Sequence, residues 1–457
     1  MKKYLLPILF ACSLPVVAVA QQQDSVVLRH LADEVLTHST AYENLRTLTK
    51  TIGGRLAGSP QMPKAEQWGV KALKAAGADT VYLQECMVPH WVRGAKEEAR
   101  IISKRRDFVP PLNILALGNS VGSGPAGITA PVLEVASFDD LEAKKDQVKG
   151  KIVFYNYHFN PTYVKTFHSY RDAVMYRGRG ASRAAKYGAV AVIVRSMSHG
   201  ANNLPHTGAM AYDSAYPKIP AVAIGLEDAD RLSQRIKDDE SAKVFLRTNC
   251  VMLKDTIGHN VIGELRGSKY PDQYITVGGH LDSWDVAEGA HDDGAGCVQS
   301  IEVLRAFKGA GIRPQHTLRV VLFANEENGT RGGTKYAAVA KARNEKHILA
   351  LESDGGGFTP RGFSSTMDAG KKAKMMSWRP LFEPYGIYDF EDEGGGTDVG
   401  QLNAALGTPM AELSPDSQRY FDIHHAANDV FEAVNKRELE LGAFGMAGFL
   451  YLVDLNF

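Results

Sequence analysis

One stretch of the sequence places metal-binding side chains between a buried strand and a helix. The apolar, β-branched run Tyr274–Val277 predicts a buried strand, which ends at two glycines and leads to His280 and Asp282. A polar loop then carries Asp292 to a Gly-rich turn, after which Cys297–Lys308 has apolar residues at helical spacing. In an open α/β sheet, ligands bind outside the carboxyl ends of the strands, so this stretch predicts a ligand site.

The chain repeats this pattern of an apolar run followed by acidic or histidine side chains. The later members are Thr317–Ala324 before Glu326 and Glu327, Ile348–Leu351 before Asp354, and a loop that contains His424 and His425. Helical patterns lie between these runs, and Lys436–Leu455 predicts a closing helix. The alternation predicts an α/β fold with a mixed β-sheet flanked by helices.

The middle of the chain has a different character. Short strand-like runs such as Ile128–Val135 and Ala189–Val194 alternate with short helical patterns, and this segment has no compact cluster of carboxylates and histidines. We therefore predict an inserted β-rich domain over residues 112–251 that covers the site or shapes the substrate pocket. Residues 21–111 and 252–457 then form the main domain.

The N-terminus predicts export. Residues 1–20 have a basic start, an apolar run and the small-residue sequence Ala18-Val19-Ala20, which together are typical of a secretory signal peptide. The mature protein is then periplasmic or secreted. A lipoprotein attachment at Cys12 is disfavoured because the apolar run before it is short, and Pro7 and Pro15 argue against an uncleaved anchor.

Composition argues against nucleic acid and membranes as partners and does not decide whether the cysteines form a disulfide. Lys+Arg and Asp+Glu both number 52, so no net field favours nucleic acid or an anionic membrane. No segment after the leader approaches the ~20 apolar residues that span a bilayer. The mature chain keeps Cys86, Cys250 and Cys297, an odd number, so one disulfide pair or three unpaired thiols both remain open.

The strand-end side chains suit a metal centre. Histidines with several carboxylates favour Zn²⁺, and the carboxylates are too many for one structural zinc. A pair of metal ions bridged by a carboxylate fits the count better, because two ions activate a shared water and hold a substrate carbonyl. One carboxylate must stay free to move the water's proton, and the adjacent Glu326 and Glu327 can divide these two tasks.

These motifs resemble peptidase family M28, the co-catalytic zinc exopeptidases, and within it the carboxypeptidase Q branch. The matching stretches are Gly278–Asp285, Gly289–Gly294, Glu326–Gly329, Glu352–Asp354, Gly396–Asp398 and His424-His425. The similarity covers nearly the whole mature chain, including Gly53–Ser59, and the inserted segment resembles a protease-associated domain. The resemblance implies the zinc-exopeptidase fold, two Zn²⁺ ions per chain, and a peptide substrate from which terminal residues are removed.

The resemblance also implies a role for each site residue. Asp292 bridges both ions, His280 and Asp354 complete one metal site, and Glu327 and His425 complete the other. Glu326 acts as general base and then as general acid. Asp282 orients His280 through the second ring nitrogen of the histidine. The family usually has a hydroxyl residue after the last histidine, whereas this chain has Ala426. The register of that loop favours His425 over His424 as the ligand.

Other polar residues near these motifs have weaker assignments. We expect Asp293 to be a helix N-cap or a loop residue. His291 and His424 are expected to be loop residues, with His424 alternatively lining the substrate pocket. Trp284 is expected to pack in the interior or to form a pocket wall. Arg331 is a candidate for binding a substrate carboxylate, and His199 and His206 are either substrate contacts or plain loop residues.

The sequence leaves several functions open. It favours an aminopeptidase or dipeptidase acting on dipeptides or short peptides, with a carboxypeptidase of the same family as the alternative. A glutaminyl cyclase with a single zinc and a non-catalytic binding ectodomain are two further classes, which the intact ligand set disfavours. A homodimer is also left open.

Overall fold

The computed structural model describes the backbone of residues 13–104 and 109–457 and the side chains from Gln22 onward. Residues 1–12 of the predicted signal peptide, Cys12 among them, lie outside the described residues. The first described helix begins at Ser13 and continues past the predicted cleavage position to His38. None of the helices in the described ranges combines the length and apolar character that crossing a membrane requires.

Twelve α-helices and fourteen strands build the described chain. The strands are β1 Thr80–Val92, β2 Glu98–Ile102, β3 Ile114–Ala116, β4 Ile128–Val135, β5 Ile152–Tyr155, β6 Ala191–Arg195, β7 Ala221–Ile224, β8 Lys243–Arg247, β9 Val251–Leu265, β10 Tyr270–His280, β11 His316–Phe323, β12 Lys346–Glu352, β13 Pro360–Ser365 and β14 Met410–Pro415. The helices are α1 Ser13–His38, α2 Ala41–Thr47, α3 Met62–Ala75, α4 Phe138–Ala143, α5 Thr166–Ala185, α6 Leu226–Asp238, α7 Ala295–Gly309, α8 Arg331–Ala342, α9 Ala369–Met376, α10 Arg379–Phe382, α11 Thr397–Leu406 and α12 Lys436–Asn456.

The main sheet is mixed, with a parallel centre and antiparallel edges. Its strand order is β1-β9-β11-β10-β12-β14-β13. Strands β11, β10, β12 and β14 run parallel to one another, so their carboxyl ends meet at one edge. Strands β1, β9 and β13 close the two sides in antiparallel pairing. The strands that carry the predicted ligands are therefore adjacent at the centre of this sheet.

Helices cover both faces of the main sheet because its central strands are apolar on both faces. Every residue of β11 is buried, as a parallel strand between two helical layers requires. Successive side chains point to opposite faces, so Val320 packs in the large core beneath α1, α3, α7 and α12. Val321 packs on the other face against α8 and α11, with Tyr336 and Val399. These contacts confirm the predicted α/β fold.

The inserted part holds a second seven-stranded sheet together with α4, α5 and α6. Its strand order is β2-β8-β4-β5-β6-β7-β3, with β4 to β7 parallel. The predicted boundary at residue 111 leaves Glu98–Ile102 in the main domain, whereas that strand pairs with β8 in the second sheet. The division of the chain into 21–111, 112–251 and 252–457 otherwise stays a prediction.

The long ribbon of β1 and β9 connects the two sheets. The strands pair from Thr80 opposite Glu264 to Val92 opposite Val251, and the chain enters and leaves the inserted part at their far ends. Cys86, Cys250 and Cys297 are buried and unpaired, so the structure favours three thiols over a disulfide.

Candidate active site

The predicted ligands converge at the carboxyl edge of the main sheet. His280 is the last residue of β10, and Asp354 follows β12, the neighbour of β10 on one side. Glu326 and Glu327 follow β11, the neighbour on the other side. Asp292 lies in the turn before α7, so four segments that are distant in sequence bring their side chains together.

Two groups of ligand atoms share Asp292. His280 Nε2 lies 3.2 Å from Asp292 Oδ1 and 3.2 Å from Asp354 Oδ1. His425 Nε2 lies 3.2 Å from Asp292 Oδ2 and 3.2 Å from Glu327 Oε2. The two carboxylate oxygens of Asp292 thus face different histidines, the arrangement expected of a carboxylate that bridges two cations.

His424 occupies a position beside this arrangement. Its Nε2 lies 3.8 Å from Asp292 Oδ2, and its ring stacks on the ring of His425 with centroids 3.6 Å apart. It also lines the adjacent cavity. His425 approaches Glu327 as well as Asp292, so its position suits a ligand better than that of His424.

The donor set fits two divalent cations. Ligand atoms around a tetrahedral zinc lie about 3.3 Å from one another, close to the separations of the imidazole and carboxylate atoms described above. Asp292 Oδ2 and Glu327 Oε1 are buried without a hydrogen-bond partner. An orphaned buried carboxylate oxygen costs free energy, and a bound cation would satisfy it.

The crowding of carboxylates changes their protonation. Burial raises the pKa of Glu326 to about 7, with His280 opposing the shift and Asp354 adding to it. Burial also raises the pKa of Glu327 to about 8, and the Asp292 carboxylate adds to the rise. For Asp292 burial acts in the same direction, but the adjacent imidazoles of His280 and His425 prevail and hold its pKa well below the usual range. Asp292 is therefore the carboxylate most firmly kept ionised.

Asp282 supports the site through both its backbone and its side chain. His280 Nδ1 donates to the backbone carbonyl of Asp282 at 3.0 Å, which leaves Nε2 free for a cation. The Asp282 carboxylate lies 3.8 Å from that ring nitrogen. It accepts instead from the backbone N–H groups of Glu326 and Glu327. The residue therefore orients both the histidine and the glutamate turn.

Two further aspartates hold the segment that carries Asp292. Asp293 accepts from the N–H of Gly296, in the first turn of α7, at 2.8 Å and from the N–H of His280 at 3.0 Å. It lies one residue before the N-cap position of α7, which is Gly294. Asp429 accepts from the N–H groups of His291 and Asp292 at 2.7 and 3.1 Å. Sequence reasoning missed this role of Asp429, although the residue lies four positions after the predicted ligand His425 in the same loop.

Arg55 is the buried cation beneath the site. Its guanidinium donates to the carbonyls of Leu281, Glu288 and Gly289, the loop that leads from β10 to Asp292. It is fully buried, and its backbone N–H donates to Ser283 Oγ. The Gly53–Ser59 motif contains this residue, but the motif alone did not indicate what the arginine binds.

A cavity of about 360 Å³ opens over the predicted ligands, and both the inserted part and the main domain contribute residues to it. Phe167, Tyr170 and Arg177 come from α5 of the inserted part, whereas Gly395 and Tyr420 come from the main domain. Among the described residues that line the cavity, Arg177 is the one with a permanent positive charge. Its Nε is buried without a hydrogen-bond partner.

The other expected residues lie outside the ligand set. Arg331 pairs with Asp255 at 2.8 Å on the surface, away from the ligands, which does not fit a carboxylate-binding role in this cavity. Trp284 is buried against Trp91 and His425. His291 accepts from the N–H of Gly357 and stacks on Phe358. His206 is buried in the inserted part, and His199 packs on Phe159.

Comparison with known proteins identifies the family. Residues 260–449 match peptidase family M28, and residues 124–232 match the PA domain. The chain is 37% identical over 413 residues to carboxypeptidase Q of Mus musculus, covering 90% of this chain and 85% of the relative.

Two solved structures have a similar fold. A peptidase M28 precursor from Shewanella amazonensis superposes with a TM-score of 0.88 at 33% identity, covering 95% of this chain and 97% of the other. An aminopeptidase from an Aneurinibacillus strain shares the fold at 21% identity and a TM-score of 0.62, with 94% and 95% of the two chains covered.

The fold and the site define a metallo-exopeptidase. With a relative at this identity over most of both chains, the protein belongs to peptidase family M28. The resemblance inferred from the motifs is thereby confirmed.

Proposed function

We propose that the protein is an exported dizinc exopeptidase that hydrolyses the terminal peptide bond of dipeptides or short peptides. The observation that carries this proposal is the sharing of Asp292 between two ligand groups, each with one histidine within 3.2 Å. His280 and Asp354 would hold one Zn²⁺ ion, and Glu327 and His425 the other. Bound zinc would lower the pKa of a water and polarise the substrate carbonyl.

Glu326 is the proton carrier in this proposal. It lines the cavity next to the ligands but lies outside both ligand groups. Burial raises its pKa, and an unligated carboxyl group at this place would first accept the proton of the attacking water and then donate it to the leaving amine. Hydrogen bonds from Glu326 and Glu327 to Asp282 fix the turn on which both glutamates lie.

The enclosure of the cavity supports a short substrate. The inserted part covers one side of the ligands with Phe167, Tyr170 and Arg177. A long chain passing through on both sides of the scissile bond would have to displace these side chains. The free end of a dipeptide or short peptide enters without that displacement.

Arg177 is a candidate for binding the carboxylate at the carboxyl end of the substrate. A buried guanidinium with an unpartnered N–H binds a carboxylate well. This observation supports a second candidate, a dipeptidase or carboxypeptidase in which the substrate's carboxyl end is held by Arg177.

The decisive experiment uses the purified mature protein. Free, N-blocked and C-amidated dipeptides are assayed, and zinc is counted on the same sample, with Glu326→Gln as the inactive variant and Asp255→Asn as a surface control. We expect two zinc ions per chain in every sample and loss of hydrolysis in Glu326→Gln alone. A zinc count near one, together with cyclisation of N-terminal glutamine, would favour a glutaminyl cyclase. A wild-type protein that binds no metal and has no activity would favour a non-catalytic binding ectodomain.

A further inference from the structure

His425 is bound by a loop of the inserted sheet. Its ring Nδ1 lies 3.2 Å from the carbonyl oxygen of Thr207, which can only accept. Arg177 Nη1, which can only donate, lies 3.4 Å from Nδ1 and also 3.4 Å from that carbonyl oxygen. The arginine therefore shares the carbonyl, and the shorter contact makes the ring the donor. In return the N–H of Thr207 donates to the carbonyl oxygen of His425 at 2.9 Å. His425 has a positive φ of 62°, an unfavourable conformation for a residue with a side chain, and this pair of hydrogen bonds holds it there.

Thr207 is itself fixed to the inserted sheet. Its hydroxyl donates to the carbonyl of Ala116 at the end of β3 at 2.8 Å, and the residue is fully buried. The next residue, Gly208, accepts from the N–H of Gly118 at 2.9 Å. Ala116 and Gly118 belong to the second sheet and its flanking loop, so the position of the Thr207 carbonyl depends on the inserted part.

The approach of this loop requires glycine at position 208. Gly208 has a φ of 132°, and a Cβ there would lie 2.6 Å from His425 Nδ1 and 2.4 Å from the Arg177 guanidinium carbon. On a second side, the Trp284 indole packs edge-on against the His425 ring with centroids 5.7 Å apart. Trp284 in turn lies against Gly118, where a Cβ would overlap the indole.

We propose that Thr207 and Gly208 are positioning residues for His425, so that the inserted sheet completes one of the two cation sites. A histidine ligates through one ring nitrogen only when the other holds its proton, and the acceptor for that proton fixes tautomer and ring direction. The residues that follow His425 are Ala426 and Ala427, which offer no side-chain acceptor. Thr207 supplies the acceptor from the other sheet. The inference rests on the proposed two-cation site.

The test compares Gly208→Ala with Gly124→Ala. Both glycines have positive φ and lie in the inserted part, but a Cβ at Gly124 meets nothing within 4 Å. Chelator-treated protein is titrated with Co²⁺ and with Zn²⁺, and both binding constants are determined. We expect Gly208→Ala to lose about 10- to 100-fold in affinity for one ion, the ion that His425→Ala also loses, with the other constant unchanged. Gly124→Ala should bind both ions as wild type does.

A second pair of variants separates positioning from general loss of packing. Thr207→Val removes the hydroxyl bond to Ala116 at nearly constant volume, and Thr207→Ser keeps it. We expect Thr207→Val to weaken the same ion and Thr207→Ser to restore its affinity. If both ions weaken together, or if Gly208→Ala and Thr207→Val bind both as tightly as wild type, the positioning role is refuted. A wild type that binds fewer than two ions would refute the proposed two-zinc site instead.

Discussion

The carboxylate of Asp282 joins the ends of two adjacent strands by accepting hydrogen bonds from the backbone N–H of Glu326 at 3.0 Å and of Glu327 at 3.3 Å. Asp282 follows β10, and the two glutamates follow β11. The turn between them begins at Asn325, whose φ of 64° places the next two backbone N–H groups toward the carboxylate. One buried side chain therefore sets the position of both the proposed base and one proposed ligand.

Replacing Asp282 by asparagine should lower kcat/KM by about 10- to 100-fold. The amide offers one acceptor, and its NH₂ group would face the second backbone N–H, leaving it without a partner at a cost of about 1–3 kcal/mol. Steady-state kinetics on a free dipeptide measures the effect. Asp255→Asn, which removes an exposed carboxylate paired with Arg331, is the control and should match wild type. Equal activity of the two variants would show that Asp282 does not position the turn.

Arg55→Met should destabilise the fold by about 3 kcal/mol or more, because two buried carbonyls and one partly buried carbonyl lose their donor. Denaturant unfolding of the metal-free protein measures the loss without any contribution from a bound ion. Arg46→Met is a matched control, since Arg46 is an exposed arginine on α2 that makes a long surface pair with Glu43. We expect the control to stay within about 0.5 kcal/mol of wild type. Similar values for both variants would contradict the structural role of Arg55.

The central sheet and the converging ligands were predictable because their signals are local. An apolar run that ends in His280 or Asp354 shows both the strand and its functional end within about ten residues. Adjacent parallel strands then bring such ends to one edge, whatever their distance along the chain. The same reasoning places Glu326 and Glu327 at that edge.

Contacts between distant segments were not predictable from the sequence. Thr207 binds His425 through backbone atoms that every residue carries, so its residue type gives no signal. Strand Glu98–Ile102 alternates buried and exposed residues, which predicts a strand but does not indicate which sheet it joins. Asp282 was expected to orient His280, but whether it does so through its carbonyl or its carboxylate depends on where the Glu326 turn lies.

Glu302→Gln should remove a pH dependence of stability. Burial raises the pKa of Glu302 to about 6 despite its ion pair with Arg305. A folded-state pKa above the unfolded value means that the folded state binds the proton more tightly, so this group destabilises the fold as pH rises from about 4.5 through 6. The rise corresponds to about 2 kcal/mol. The unfolding free energy of the variant relative to wild type should therefore increase by about that amount between pH 4.5 and 7.5. A difference that is constant across this range would contradict the raised pKa.

Arg177→Met should discriminate between substrates with free and with amidated carboxyl ends. Arg177 donates to the Tyr170 hydroxyl at 2.5 Å, and its unpartnered Nε is the donor that a substrate carboxylate would take. Losing a buried charge-assisted contact costs about 2–4 kcal/mol, so kcat/KM for a free dipeptide should fall by about 30- to 1000-fold. Arg177 Nη1 also lies 3.4 Å from the Thr207 carbonyl and from His425 Nδ1, so cleavage of the C-amidated dipeptide should fall too, but far less, because that substrate has no carboxylate to hold. Arg179→Met, an exposed arginine on the same helix, is the control and should change neither rate. An equal fall for both substrates would mean that Arg177 supports the fold of the cavity, and the end preference would then depend on another group.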